Sequence, residues 1–207
     1  MKQVAISSSL IALCSLVAAG AAQAQQPAPA PGAAQLAIVT IPAKANAKLE
    51  VSSPAFKGSA DIPVENTQYK GNTFPGLNWN AAPEGTKSFV IIMQDPDALR
   101  DNMPILHWTM VNIPAAVTKL EPGMTTPPEG AQNGPNMRGA AQPYAGPRTP
   151  PGPKHRYHFQ VFALDTTLPA DALATYATLT AAMKDHVLAS GETIGLGQAP
   201  PTEGVQR

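Results

Sequence analysis

Proline interrupts this chain 23 times in 207 residues, and no other feature constrains the fold as strongly. Proline removes a backbone donor and clashes with the preceding helical turn, so a chain punctuated this densely does not run in long helices. Helical bundles and coiled coils are excluded. With 16 glycines and hydrophobic residues at 43%, the pattern is one of short apolar strands, tight turns and irregular loops around a real core. Charge adds a second exclusion. The 14 basic and 14 acidic side chains cancel, leaving no net positive field for nucleic acid or an anionic membrane surface.

Residues 1–24 read as a cleaved secretory signal: Lys2, an apolar stretch from Ile11 to Ala19, then a small-x-small ending at Ala22-Gln23-Ala24. Ser7, Ser8, Ser9 and Ser15 break the run, which falls short of the ~20 apolar residues that a membrane span needs. Cys14 follows the bulky Leu13, where a lipid-attachment site would carry a small residue. Once residues 1–24 are removed no cysteine remains, so the domain is expected to hold together by packing alone and to lack thiolate metal sites. The expected location is periplasmic or secreted. Residues 25–35, QQPAPAPGAAQ, read as an extended Pro/Ala linker, and residues 36–207 as a single domain.

Strands are expected at Leu49 to Ser52, Lys87 to Gln94, Ile105 to Ile113 and His155 to Leu164, each rich in branched or aromatic residues. Simple alternation over 105–113 puts His107, Thr109, Val111 and Ile113 on one face, with Trp108, Met110 and Asn112 on the other. Helix is expected only near the C-terminus. One short piece runs from Asp171 to Tyr176; a longer one, capped by Thr178 or Thr180, runs through AAMKDHVLAS to Gly191, with Leu179, Met183, Val187 and Leu188 as its stripe. The fold class is mainly β, an antiparallel sandwich with one or two C-terminal helices.

Three segments carry ionisable residues into apolar strand ends. Asp95-Pro96-Asp97 closes an apolar strand, and two carboxylates two positions apart can point the same way. His107-Trp108 lies within the next strand. The stretch from Tyr144 to His158 runs from a Pro-rich loop into a strand. The bland readings are a turn, a core histidine and a rigid connector. His158 falls on the strand face opposite His155, and His186 and Trp79 read as packing residues.

The order of motifs is more specific than any one of them. SPAF (Ser53 to Phe56), APEGTKSF (Ala82 to Phe89), DPDA (Asp95 to Ala98), HW (His107 and Trp108), VNIPA (Val111 to Ala115), YAGP (Tyr144 to Pro147), PPGPKHRYHFQVFALD (Pro150 to Asp165) and AMKDHVLA (Ala182 to Ala189) follow one another. Together they closely resemble the phosphatidylethanolamine-binding protein family, most of all its bacterial Raf-kinase-inhibitor-like branch. The resemblance runs from about Leu49 to about Gly197. It implies a β-sandwich with a small anion-binding pocket lined by Asp95, Asp97, His107, Tyr144, Gly146, Pro147 and His155, with Trp108 and Pro150 shaping its walls. Two positions depart from the family pattern: Thr149, where a further proline is common, and Leu196, where bacterial relatives often carry an aromatic.

The implied function is binding of a phosphate-containing or zwitterionic head group of the phosphoethanolamine type. Tyr144, a histidine and the Gly146 backbone would donate to phosphate, while Asp95 or Asp97 holds the ammonium. In a second arrangement a carboxylate orients His107 and raises its pKa. The chain contains no Gly-x-Ser-x-Gly elbow, His-Glu-x-x-His pair, P-loop or dinucleotide fingerprint, so no enzymatic activity, metal or cofactor is expected. Two alternatives stand beside this reading: a protease- or kinase-inhibitor-like interaction module using the 121–153 loop and Arg148 against an extracytoplasmic protease, and a metal-dependent or acid-base hydrolase using the Asp and His residues.

Overall fold

The computed structural model of the protein describes residues 28–45, 47–80 and 82–201. The expected signal segment lies outside the described residues. Among the described residues the α-helices and strands are, in chain order, α1 Ala37–Thr40, β1 Ala47–Lys48, β2 Val51–Ser52, β3 Leu77–Trp79, β4 Ser88–Arg100, β5 Met103–Pro114, β6 Lys119–Leu120, β7 Gln132–Asn133, β8 His155–Leu164, α2 Tyr176–Met183 and β9 Val187–Gly197. Six strands form the main sheet in the order β1-β9-β8-β4-β5-β7, and β2-β3-β6 form a smaller one. Every pairing is antiparallel except β1 with β9. Among the described residues no helix is long and apolar enough to cross a membrane.

The apolar runs of β4 and β8 follow from burial on both faces of the main sheet. Phe89, Ile91, Met93, Phe159 and Val161 pack on one side with Leu77, Trp79 and Leu120 of the small sheet. Val90, Ile92, Phe162 and Leu164 pack on the other with Ile41, Leu173, Leu179 and Met183. The mainly β class is as expected, and β8 runs between the expected residues.

Four local expectations are corrected. Helix α2 ends at Met183 instead of reaching Gly191, because Asp185 turns into the left-handed region at φ 64° and the chain then extends as β9. The side chains of β9 alternate between buried and half-buried along its whole length. Its backbone pairs β8 from His155 to Leu164, satisfying donors and acceptors that a helix would have left bare on β8. Gly191 is a strand residue and not a helix stop: a Cβ there would lie 1.9 Å from the Leu49 carbonyl oxygen. The cap of α2 is Thr175, reciprocally bonded with Thr178.

The alternation expected along β5 breaks twice. Met93 faces Trp108 while Gln94 faces Leu106, so His107 is an extra, bulged residue. His107 and Trp108 therefore project to the same side. His107 contacts Tyr157, and Trp108 contacts Phe74 and Tyr144, all members of one core. A second bulge opposes Val111 and Asn112 to Val90, with Asn112 at φ 55°.

The Pro/Ala segment is docked over its described part instead of solvated. Ala30 is buried, and Gly32 N–H donates to Pro96 carbonyl at 2.9 Å. Ala37 N–H donates to Gln94 Oε1 at 2.9 Å and Ile38 N–H to Gln160 Oε1 at 2.7 Å. Two buried glutamines thus reward a segment whose own side chains offer little apolar area.

Candidate functional site

Where β4 ends and β5 and β8 begin, the sandwich forms an open cavity of about 330 Å³. Asp95, Ala98, Ile105, His107, Pro150, His155 and Tyr157 line it, and Gln68, Met137, Arg138 and Arg148 come from surrounding loops. Asp95, His107, Pro150 and His155 are therefore brought together as expected.

Asp95 sits at the floor with 2% of its surface exposed. Its Oδ1 accepts the backbone N–H groups of Asp97 at 2.9 Å and Ala98 at 3.2 Å, an Asx turn around Pro96. Its Oδ2 accepts Nδ1–H of His155 at 2.8 Å. That bond fixes the imidazole tautomer, because only a protonated Nδ1 can donate to the carboxylate. In the neutral ring this tautomer puts the lone pair on Nε2, which makes no hydrogen bond among the described residues.

His107 is also buried, and its Nδ1–H donates to the Ala145 carbonyl at 3.0 Å. Its ring meets Tyr157 edge-on at 5.1 Å. The carbonyl of this bulged residue has the Asn136 Nδ2 as donor at 3.2 Å. Burial pushes the His107 pKa below its ordinary value, against the opposing pull of the Asp95 charge. The expected carboxylate-to-His107 pairing is therefore corrected: the carboxylate orients His155, and His107 is a neutral ring with Nε2 as an acceptor. Burial also pushes the Tyr157 hydroxyl well above its ordinary pKa, and the nearby Asp95 charge adds to this.

The structure separates the other expected residues from this cavity. Asp97 points away. Its Oδ2 accepts the Arg156 backbone N–H at 2.7 Å and Nε–H at 2.9 Å, and its Oδ1 accepts Nη2–H at 2.5 Å. Burial pushes the Asp97 carboxyl up, but the Arg156 hydrogen bonds and charge outweigh it and hold the pKa below its ordinary value. The expectation that Asp95 and Asp97 share a face required a continuous ladder. Instead β4 and β5 lose register between Asp95 and Leu99, and the chain reverses its facing there.

Tyr144 donates its hydroxyl to the Asn66 carbonyl at 3.1 Å, and Gly146 N–H donates to Asn72 Oδ1 at 2.8 Å. Both expected phosphate donors are consumed internally. Trp108 and Tyr144 line a different hollow, of about 290 Å³, with Phe74 and Met110. Pro147 is buried, and its carbonyl accepts from Gln68 N–H at 2.9 Å. His158 faces the other side of β8 and bonds Glu192 at 2.8 Å, as its alternation with His155 predicted.

The functional residues that sequence reasoning missed are Gln68, Arg138 and Tyr157. Tyr157 carried a signal, lying two residues from His155 on a regular strand. Gln68 and Arg138 carried none: they are 70 residues apart, joined by an Arg138 Nη2–H to Gln68 Oε1 bond. Gln68 Nε2 also donates to the Gly146 carbonyl at 2.6 Å. Arg148, expected at the mouth, is exposed there, and its side chain has no hydrogen-bond or ion-pair partner among the described residues. Thr149, the departure from the usual proline, bonds the Tyr157 hydroxyl at 2.9 Å. Among the described residues no three His, Cys, Asp or Glu side chains group at metal-ligating spacing.

Comparison with known proteins agrees with this architecture. Residues 52–198 match the family model described as phosphatidylethanolamine-binding protein. A UPF0098 protein of Methanothermobacter thermautotrophicus is 36% identical over 151 residues, covering 72% of this chain and 97% of that protein. The UPF0098 protein YbcL of Escherichia coli is 37% identical over 169 residues, covering 76% of this chain and 91% of that protein. The crystal structure of E. coli YbcL, described as a new member of the mammalian PEBP family, superposes with a TM-score of 0.67 at 33% identity, covering 74% of this chain and 100% of that one. A putative PEBP homologue from Chlamydia trachomatis superposes with a TM-score of 0.66 at 30% identity, covering 75% of this chain and 99% of that one.

Proposed function

The chain belongs to the phosphatidylethanolamine-binding protein family, and from that membership we propose that it is an exported binding protein for small phosphate-bearing zwitterions of the phosphoethanolamine type. One observation carries the reading: Arg138 and Arg148 stand over a cavity whose buried floor is Asp95. A cationic mouth over an anionic floor complements a ligand with phosphate at one end and ammonium at the other.

The roles differ from those implied by resemblance alone. Phosphate donors are the two guanidinium groups at the mouth, because Tyr144 and Gly146 are already engaged. The ammonium is accepted within the cavity by Asp95 Oδ2 and Nε2 of neutral His107, both of which retain acceptor capacity. Export rests on residues 1–24 of the sequence.

Calorimetric titration of the full domain with phosphoethanolamine, inorganic phosphate and ethanolamine tests this. Phosphoethanolamine is expected to bind more tightly than either fragment, and His107→Gln to narrow its advantage over phosphate. Equal affinity for phosphoethanolamine and phosphate in the wild type would remove the ammonium half of the site.

A further inference from the structure

We propose that His155 is a nucleophile that accepts a phosphoryl group on Nε2 from small acyl phosphates or phosphoramidates. The inference rests on the reading that the cavity admits phosphate, and goes beyond it by assigning covalent chemistry. The proposed binding role leaves the imidazole of His155 without a task. Here Asp95 accepts Nδ1–H of His155 at 2.8 Å while its other oxygen is anchored by two backbone N–H groups. The imidazole is therefore held with its Nε2 lone pair available, in a cavity with two guanidinium groups at the mouth. An imidazole oriented by a buried carboxylate, with cations beside it to neutralise the non-bridging phosphate oxygens, is the arrangement that phosphoryl transfer to histidine requires.

From an acyl phosphate the step balances without an added acid or base, and from phosphoramidate, whose nitrogen is already protonated in the zwitterion, the P–N bond breaks with its electron pair and ammonia leaves. The Nε2 lone pair forms the N–P bond, and the P–O bond to the acyl oxygen breaks with its electron pair. The carboxylate leaves as an anion. The ring becomes cationic, retains Nδ1–H, and is stabilised by the Asp95 carboxylate. Water then attacks phosphorus, the P–N bond breaks back to Nε2, and inorganic phosphate is released. Asp95 is a positioning residue in this sequence, since it touches His155 and not the phosphoryl group.

Asp95→Asn separates a chemical role from a structural one. The backbone N–H groups of Asp97 and Ala98 compel the carboxamide oxygen into the Oδ1 position, which places its NH2 group against His155 Nδ1. A donor there forces Nδ1 to accept and moves the ring proton onto Nε2, destroying the nucleophile while leaving the cavity shape intact.

The test incubates the full domain with acetyl phosphate and with phosphoramidate, and follows phosphoryl incorporation by intact mass, acid lability and fragment mapping. Phosphate binding is measured in parallel by calorimetry. Wild type is expected to carry one acid-labile phosphoryl group on His155, competed by inorganic phosphate. His186→Asn, on a half-buried histidine paired with Asp165 and distant in sequence from the cavity motifs, is expected to label like wild type. Asp95→Asn is expected to label more than roughly a hundredfold more slowly, measured at saturating acetyl phosphate so that a change in affinity does not enter the rate. Phosphate binding without labelling of the wild type overturns the inference and spares the binding reading. Absence of both overturns both. Labelling confined to another residue, or equal labelling of Asp95→Asn, overturns the role of the His155 and Asp95 pair.

Discussion

Asp95 and Asp97, two residues apart on one strand, serve opposite sides of the main sheet: Asp95 holds His155 in the cavity and Asp97 holds Arg156 outside it. The two basic partners are consecutive on β8, so their opposed facing is ordinary alternation. The irregularity lies entirely in β4, where the Asx turn on Asp95 rotates the strand. This places a carboxylate on each side of the sheet, and each side yields a distinct prediction.

Asp95→Ala leaves two half-buried backbone N–H groups and the His155 Nδ1–H without their acceptor. Loss of about 3 kcal/mol of unfolding free energy is expected, since each unsatisfied buried group costs roughly 1–3 kcal/mol. Urea denaturation checks this. A change under about 0.5 kcal/mol would mean that water replaces the carboxylate freely.

Arg156→Ala acts through acid stability. Asp97 titrates below its ordinary value of 3.8 in the folded protein, so its contribution is fully present above that value and is lost as pH falls through the lower folded pKa. Without Arg156 the folded pKa rises, and the loss of stability on acidification attributable to Asp97 disappears. Urea midpoints of wild type and Arg156→Ala between neutral pH and the carboxylate range should converge as pH falls. Parallel curves would contradict the assignment.

His107 imposes a slope in a different window. Its folded pKa lies below the ordinary value of 6.5, so the unfolded chain binds the proton first on acidification. Stability is therefore fully present above 6.5 and declines as pH falls from 6.5 towards the folded pKa. His107→Gln should flatten that decline. Thermal melts across this range check it, with Asp97 contributing only at lower pH.

Gly191→Ala tests the packing that makes the last element a strand. The added Cβ meets the Leu49 carbonyl oxygen at 1.9 Å, and backbone cannot yield as a flexible side chain would. Destabilisation of roughly 3 kcal/mol or more is expected from overpacking of this severity. Gly58→Ala, where a Cβ meets nothing within 4 Å, serves as the control.

Arg148→Ala should weaken phosphoethanolamine binding about tenfold, the scale of one charge-assisted hydrogen bond. Stability should be unchanged, because Arg148 is exposed and unpartnered among the described residues. Calorimetry at low and high salt checks the assignment; an unaltered affinity at low salt would place the phosphate elsewhere.

Much of the site was legible one residue at a time and little of it as a geometry. Asp95, His107, Pro150 and His155 were expected and do line the cavity, since polar groups at the ends of apolar strands are conspicuous against their surroundings. The facing of His107 and Asp97 was not legible, because a period-two argument holds only while the ladder is regular and β4 and β5 depart from it at both positions. Tyr144 and Gly146 looked available as donors because their acceptors, Asn66 and Asn72, lie more than seventy residues earlier.

By itself the sequence determined a proline-divided, mainly β chain, the strand from His155 to Leu164, and the set of ionisable residues gathered near the cavity. Those properties are local: they depend on backbone dihedrals, side-chain shape and the polarity of short windows. Tertiary structure alone decided that 187–197 is a strand and not the end of a helix, that the segment from Ala30 onward is docked, and that Asp95 pairs with His155 while Asp97 pairs with Arg156. The spacing of Leu179, Met183 and Val187 suits a helix, but the unpaired edge of β8 demanded hydrogen bonds from whatever lay beside it. Satisfying buried backbone groups outweighs local propensity by several bonds, and that sum is computed only when distant segments meet.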